Sequence, residues 1–316
     1  MIISASRRTD IPAFYSEWFM NRLKEKFVYI RNPRNPNRCS KVILNPNVVD
    51  CIVFWTKNAL PILDKLDNIN AMGYSYYFQF TLTPYDNHVE KRLPPKNEII
   101  DTFKRLSDKI GPNRVIWRYD PVILNKEFSI QYHIDTYGRM CDALGDYTDR
   151  SIFSFIDLYA GIKKRAVGII DNEVDETNMK EIAQGFSEIA KAQGLTLSTC
   201  SEALDLSKYG ISHAACIDKD IIENIIGCPI KAKKDPNQRP ACRCIESVDI
   251  GAYDCCSHSC VYCYATINEN TVIKNMIKHD VQSPILIGQI NSDDVVTEHE
   301  TKSFKIMQTS MFEKCT

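Results

Sequence analysis

Tyr76-Tyr77-Phe78-Gln79-Phe80-Thr81-Leu82, then Lys96–Ile110, then Arg114-Val115-Ile116-Trp117-Arg118-Tyr119 decide the fold class of this chain. The first and third stretches are short, β-branched and aromatic runs, the composition of a strand. Between them Ile99, Ile100, Phe103, Leu106 and Ile110 recur near a period of 3.6, and Gly111-Pro112 stops the pattern. Strand, amphipathic helix, strand is a unit whose two strands run parallel. Outward from it the alternation continues, with β-rich runs at Ile2–Ser6, Cys51–Trp55, Ser151–Ile156 and Thr196–Cys200. Helical patterns fill the gaps at Phe128–Leu144 and Glu176–Ala192. Another opens at Asp10-Ile11-Pro12, with Phe14, Trp18 and Leu23 on its inner face. Six such units predict an α/β fold, a partial or complete parallel β/α (TIM-like) barrel. A doubly wound open sheet is the runner-up. No Gly-x-Gly-x-x-Gly follows a strand and no phosphate-binding P-loop occurs, which weakens the nucleotide-binding folds.

The strands end in polar groups. Arg7, Arg8, Thr9 and Asp10 follow the first run, Thr56, Lys57 and Asn58 the second, and Gln79, Thr81 and Thr83 belong to the third. Arg118 and Asp120 close the fourth, Ser154 and Asp157 the fifth, Ser201 and Glu202 the sixth. In a β/α barrel these ends converge on one mouth, where active sites are built. Arg8, Asp10, Lys57, Gln79, Arg118, Asp120 and Asp157 are therefore the candidate catalytic residues. The plainer account is that strands exit into solvent through polar residues, with Arg8/Asp10 and Arg118/Asp120 as salt bridges.

The chain has 316 residues, 39 Lys plus Arg, 40 Asp plus Glu, a net charge of −1, 44% hydrophobic residues and 25% charged. That balance excludes wholesale disorder and supplies no global field for nucleic acid or anionic lipid. The start lacks the order of a signal peptide, and no apolar run approaches the roughly 18 residues of a membrane span. A cytoplasmic protein is expected.

From about residue 231 the sequence becomes polar and turn-rich, so residues 1–230 are expected to form the barrel and 231–316 a Cys-rich extension packed on it. Of 13 cysteines, nine lie between Cys200 and Cys263. A chain of this size needs no disulfides, and a reducing compartment would not keep them. Clustered thiols in such a protein point to metal. The sharpest spacing is Cys256-Ser257-His258-Ser259-Cys260-Val261-Tyr262-Cys263, three thiols that can ligate three irons of one cubane cluster.

Cys256-x3-Cys260-x2-Cys263, with Tyr262 before the last thiol, resembles the signature of the radical S-adenosylmethionine superfamily. With Tyr264 and Ala265 it resembles the spore-photoproduct-lyase-like branch. The wider chain is similar to an uncharacterised bacterial family of proteins of unknown function with this motif at the C-terminal end. Ile2 to Pro12, Phe78 to Tyr85, Val115 to Pro121, and Cys242-x-Cys244 before Ser247-Val248-Asp249-Ile250-Gly251 carry that likeness. The resemblance implies an oxygen-sensitive enzyme. It would carry a 4Fe-4S cluster on Cys256, Cys260 and Cys263, covered by Tyr262 and Tyr264. S-adenosylmethionine would sit on the unique iron, with an electron donor such as ferredoxin or flavodoxin. It also implies a core of about six β/α units. The chain departs from the superfamily in two ways: the motif follows the barrel, and no Gly-Gly-Glu-type string follows a second strand.

Cys200, Cys216, Cys242 and Cys244 could meet as a second metal site, another 4Fe-4S cluster or a structural zinc, with Cys228 and Cys255 as substitutes. Buried apolar thiols are the alternative. His258 reads as a spectator, and His213, three residues before Cys216, as a lesser zinc candidate. Tyr74, Tyr76, Tyr77, Phe78 and Phe80 read as strand core rather than a base-stacking platform. Arg31, Arg34, Arg38 and the 231–243 run read as solvated faces. Beside the radical enzyme stands a second reading, an iron–sulfur or zinc-stabilised binding or electron-transfer protein without radical chemistry. A third, nucleic-acid repair, has little support from the net charge.

Overall fold

All six β-rich runs form strands, and their order decides between the two architectures. In the computed structural model, which describes residues 1–306, the strands are β1 (Ile2–Ala5), β2 (Phe27–Asn32), β3 (Asn35–Ile43), β4 (Cys51–Thr56), β5 (Tyr76–Thr81), β6 (Val115–Val122), β7 (Arg150–Phe155), β8 (Thr196–Cys200), β9 (Ser212–Ala214), β10 (Val248–Asp249) and β11 (Val295–Glu298). The main sheet has eight parallel strands in the order β10-β1-β4-β5-β6-β7-β8-β9. From β4 to β9 each strand lies beside its successor, so every crossover travels the same way. Right-handed crossovers in one direction put their helices on one face; a doubly wound sheet reverses its order. The runner-up is thereby excluded. The sheet is open, because β9 and β10 form its two edges and do not pair. It is a partial barrel, not a complete one.

The helices are α1 (Ile11–Phe14), α2 (Ser16–Glu25), α3 (Leu66–Ala71), α4 (Lys96–Ile110), α5 (Ile130–Leu144), α6 (Ala160–Arg165), α7 (Glu176–Ala192), α8 (Lys219–Ile226) and α9 (Glu269–Ile277). The helix expected to open at Asp10 is two helices broken at Tyr15, with Trp18 and Leu23 buried on the second. Helix α4 buries Ile99, Phe103 and Leu106 as the period predicts.

Strand alternation sorts side chains between two apolar layers. Phe54, Tyr76, Phe78, Trp117, Tyr119 and Phe153 face the main core under the helices. Ile2, Val53, Tyr77, Ile116 and Ile152 face the other side, where Ile221 and Ile222 of α8 cover them. The aromatic stripe is strand core, divided between both layers. On that second face the positions one step further along β5 to β8 are Gln79, Arg118, Ser154 and Cys200, while β4 places Trp55 there. The sheet's inner face therefore grades from apolar to chemical.

The segment from residue 231 adds a strand to each sheet. It supplies β10 to the edge of the main sheet, and β11 to a smaller sheet with the β2–β3 hairpin. That hairpin and both late strands are too short or too polar to show a pattern. The strand-like run at Ile285 makes one isolated bridge, to Tyr29. Cys315 lies outside the described residues.

One core group carries a pH prediction. His133, on α5, is fully buried; its Nε2 faces the Ile123 carbonyl at 2.7 Å and its Nδ1 the Tyr119 hydroxyl at 2.8 Å. A carbonyl only accepts, so Nε2 holds the proton and neutral Nδ1 accepts from Tyr119. Burial pulls its pKa from 6.5 down to about 4. Between those values the unfolded chain takes up a proton that the folded chain refuses, so stability falls as pH drops from about 6.5 to 4, by about 3 kcal/mol. Urea unfolding at pH 7 and 4.5 should show this loss, and His133→Gln should flatten it. An unchanged slope in the variant would refute the assignment.

Candidate functional site

The strand ends converge, as expected of this topology, on one cavity of about 440 Å³ at the carboxyl edge of the main sheet. Arg8, Asp10, Lys57, Arg118, Asp120 and Asp157 line it. So do Cys256, Cys260, Tyr262 and Cys263, and so do Cys200, Cys216, Cys242 and Cys244. The two thiol groups thus open onto one space. Gln79 does not line it: fully buried, it donates to the Cys216 carbonyl at 2.9 Å and accepts from Arg118 at 3.3 Å. It is a floor residue beneath the cavity, one step too deep on β5 to touch a ligand.

The motif loop is tied down on several sides. His258 Nε2 lies 2.8 Å from Asp10, and the histidine is buried, so it is a tether and not the spectator expected. Asp10 also caps α1 through the Ala13 amide at 3.0 Å and accepts the Lys57 amide at 2.7 Å. One carboxylate thus joins the ends of β1 and β4 to the cysteine loop. Opposite, Val261 N–H donates to the Val89 carbonyl at 2.9 Å, and Arg92 N–H to the His258 carbonyl at 3.1 Å. Arg165 donates to the Cys263 carbonyl.

Beneath the loop lies an ion cluster that the sequence does not announce. Glu90, 1% exposed, accepts from Lys57 at 2.7 Å, from the Thr83 hydroxyl at 2.7 Å, and from Lys96 and the Tyr262 hydroxyl. Although burial works against ionisation, the two lysines hold its carboxyl down at about 2. The Lys57 ammonium also sits 5.3 Å from the Tyr262 ring centre. Burial raises the pKa of the Cys260 thiol, and Lys57 is the leading influence in the opposite direction. Cys256 is held well above its ordinary value by withdrawal from water and by neighbouring Cys263 and Asp10. None of the three motif cysteines forms a disulfide.

On the other bank, the Cys200 and Cys216 sulfurs are 3.1 Å apart, and Arg118 donates to Cys216 at 3.0 Å. Arg118 also pairs with Asp120, which accepts from Ser154. Arg8 is engaged with Asp249, through Nε to the carboxylate at 2.9 Å and through Nη2 to the carbonyl at 2.7 Å. Asp157 pairs with Arg239 at the rim, both about half exposed. The expected salt bridge Arg118–Asp120 exists; Arg8–Asp10 does not. Cys228 and Cys255 do not line the cavity, and His213 faces Thr199 at 3.3 Å, so none substitutes for the four thiols. Among the described residues no three His, Cys, Asp or Glu side chains stand ready to hold a metal ion.

Asp249 stands behind the mouth and holds three residues that line it, Ser6, Arg7 and Arg8. It accepts from Ser4, Ser6, the Arg7 amide, Arg8 and the Gly251 amide. Only its place in Ser247–Gly251 singled it out in the sequence; Glu90, in an irregular loop, had no signal. The turn at Gly251 presses on β1: an added Cβ would stand 2.6 Å from Ser6 Cβ. Gly251→Ala should therefore destabilise the protein by about 1–3 kcal/mol. A denaturation midpoint equal to wild type would contradict that close approach.

The family described as "Domain of unknown function (DUF1848)" matches residues 2–265, a span that includes the sheet and both thiol groups. The chain belongs to the DUF1848 family. No curated protein matches this DUF1848 member. Among solved structures, the HpcH/HpaI aldolase from Desulfitobacterium hafniense DCB-2 is similar over 60% of this chain and 84% of its own. The identity is 12% and the TM-score 0.24, a likeness that bears on neither activity nor substrate. No described helix of this DUF1848 chain is long and apolar enough to cross a membrane.

Proposed function

We propose that the protein is a radical-SAM-like enzyme that uses a 4Fe-4S cluster on Cys256, Cys260 and Cys263, with S-adenosylmethionine, for radical chemistry on a substrate held in the shared cavity. One observation carries the reading: three thiols at cluster spacing, none in a disulfide, face the mouth where the strands of a parallel sheet end. The donor set fits the group. Three thiolates are soft ligands suited to iron–sulfur clusters, and the buried His258 Nδ1 beside them lacks a hydrogen-bond partner among the described residues. When bound, cluster and cofactor would supply one-electron reductive cleavage of the sulfonium and so a carbon radical.

The chain's own residues would bind and shield. Tyr262, anchored on Glu90, fixes the loop beside its last thiol. Lys57 places a cation near Cys260, a charge that favours the thiolate and raises the potential of whatever it ligates. Asp10 and His258 fix the loop against β1 and β4. A ferredoxin or flavodoxin would serve as electron donor, in a reducing cytoplasmic setting.

A second reading has its own support. Arg8, Asp10, Arg118 and Asp120 are engaged with protein partners, the condition of a site built for stability as much as for turnover. An iron–sulfur or zinc-stabilised binding or electron-transfer protein would look the same. Anaerobically reconstituted protein, reduced with dithionite in the presence of S-adenosylmethionine, separates the two. The enzyme reading expects a changed electron paramagnetic resonance signal and cleavage of the cofactor. A reduced cluster indifferent to S-adenosylmethionine would overturn it.

A further inference from the structure

The open seam of the main sheet runs between β9 and β10, and thiols stand on both of its banks. Cys200 ends β8 and Cys216 lies just past β9; Cys242 and Cys244 belong to the segment that enters β10. The banks are laced together by the Ile245 amide, which donates to the Ile217 carbonyl at 3.2 Å. Across this lacing the sulfurs form a series. The Cys200 and Cys216 sulfurs are in contact, the amide next to Cys216 meets the Cys244 sulfur, and the Cys244 amide meets the Cys242 sulfur. Donors point at them: Arg118 Nη1 at 3.0 Å from Cys216, the Ile217 amide at 3.4 Å from Cys244, and the Cys244 amide at 3.5 Å from Cys242.

Thiols that merely fill a core need no such donors. N–H groups aimed at sulfur favour the thiolate, the form that binds metal. Arg7 adds a second guanidinium with a deficit of its own. Its Nη2 is buried and has no partner among the described residues, and its nearest carboxylate, Asp235, is 3.8 Å away. A guanidinium nitrogen so placed suits an anionic neighbour, and Arg7 lines the same cavity as Cys216 and Cys244.

We infer that Cys200, Cys216, Cys242 and Cys244 form a second, four-thiolate metal centre that ties β9 to β10. Metal binding would draw the series of sulfur contacts round one point. Four thiolates select an iron–sulfur cluster or zinc, and either would fasten the seam. The inference does not depend on the Cys256 reading.

The test uses the full-length triple variant Cys256→Ala/Cys260→Ala/Cys263→Ala, which isolates the second centre. Anaerobic reconstitution with iron and sulfide should load about four irons per chain with charge-transfer absorption near the visible, or loading with zinc alone about one zinc. Loading by either should raise the thermal midpoint. Adding Cys216→Ser/Cys244→Ser should abolish both effects, while circular dichroism confirms a folded chain. A folded triple variant that takes neither metal, or holds as much after the serine changes, overturns the inference. A Cys200–Cys216 disulfide in anaerobically purified protein would overturn it too. In the complementary variant Cys216→Ser/Cys244→Ser alone, iron on the Cys256 loop should remain. If that variant takes up no iron, the proposed function fails, while the second site still stands or falls by the triple variant.

Discussion

Cys260→Ala is expected to remove about four irons per chain from anaerobically reconstituted protein and to lower reductive cleavage of S-adenosylmethionine by more than about a hundredfold. The size follows from the loop's construction. Three ligands come from one eight-residue stretch, so losing one leaves two, too few to hold a cubane. Cys260 is the buried member of the three, bridged through its backbone to Glu90 and influenced by Lys57. Its loss should leave the fold intact, because Asp10–His258 and the amide contacts at Val89 and Arg92 still hold the loop. Iron and sulfide analysis beside circular dichroism checks both halves. Full iron content in Cys260→Ala would show that the cluster, if present, is held elsewhere.

Glu90→Ala should destabilise the protein by about 2–4 kcal/mol, because it strands two partly buried ammonium groups beside a cavity left by a fully buried carboxylate. Lys57 and Lys96 both lean on this carboxylate, and Thr83 and Tyr262 donate to it. The pH dependence has a definite sign. Its folded pKa, about 2, is below the ordinary 4.5, so the stability it contributes is complete above about 4.5 and drains away as pH falls toward 2. Urea unfolding at pH 7, 4 and 3 should show that acid-sensitive component in wild type and less of it in Glu90→Gln. Since Tyr262 is released too, the alanine variant should also lose iron from the loop faster on exposure to air. A stability equal to wild type at pH 7 would contradict the ion cluster.

The alternation from β5 to β8 was readable because each strand is a β-rich run and each gap holds a periodic helix such as Lys96–Ile110, whereas short α3 between β4 and β5 shows no such pattern. Openness was not readable, since it depends on β9 and β10, strands of three and two residues. Six of the seven polar candidates reach the cavity: Arg118 and Asp120 share one face of β6 by period-two alternation, and Arg8, Asp10, Lys57 and Asp157 lie in the loops that leave the carboxyl ends of their strands. Gln79 fails by depth, a coordinate that alternation does not carry. Glu90 escapes because its place is set by tertiary pairing with Lys57 and Lys96, residues distant from any motif. The cysteines converge in space as their clustering suggested, although spacing alone could not show that both groups open onto one cavity.

Strand β10 pairs with β1, Ile3 facing Val248 and Ser4 facing Asp249. The beginning of the chain is therefore completed by a segment made long after it. During synthesis β1 waits with one edge unpaired, and the carboxylate that receives Ser4, Ser6 and Arg8 has not yet left the ribosome. Contacts of this sequence separation form late and slowly. The same late segment carries Cys242, Cys244 and the motif loop, so those thiols and the edge partner of the first strand arrive together. A nascent chain halted before Val248 has most of its sheet but lacks both the edge partner of β1 and the three motif cysteines.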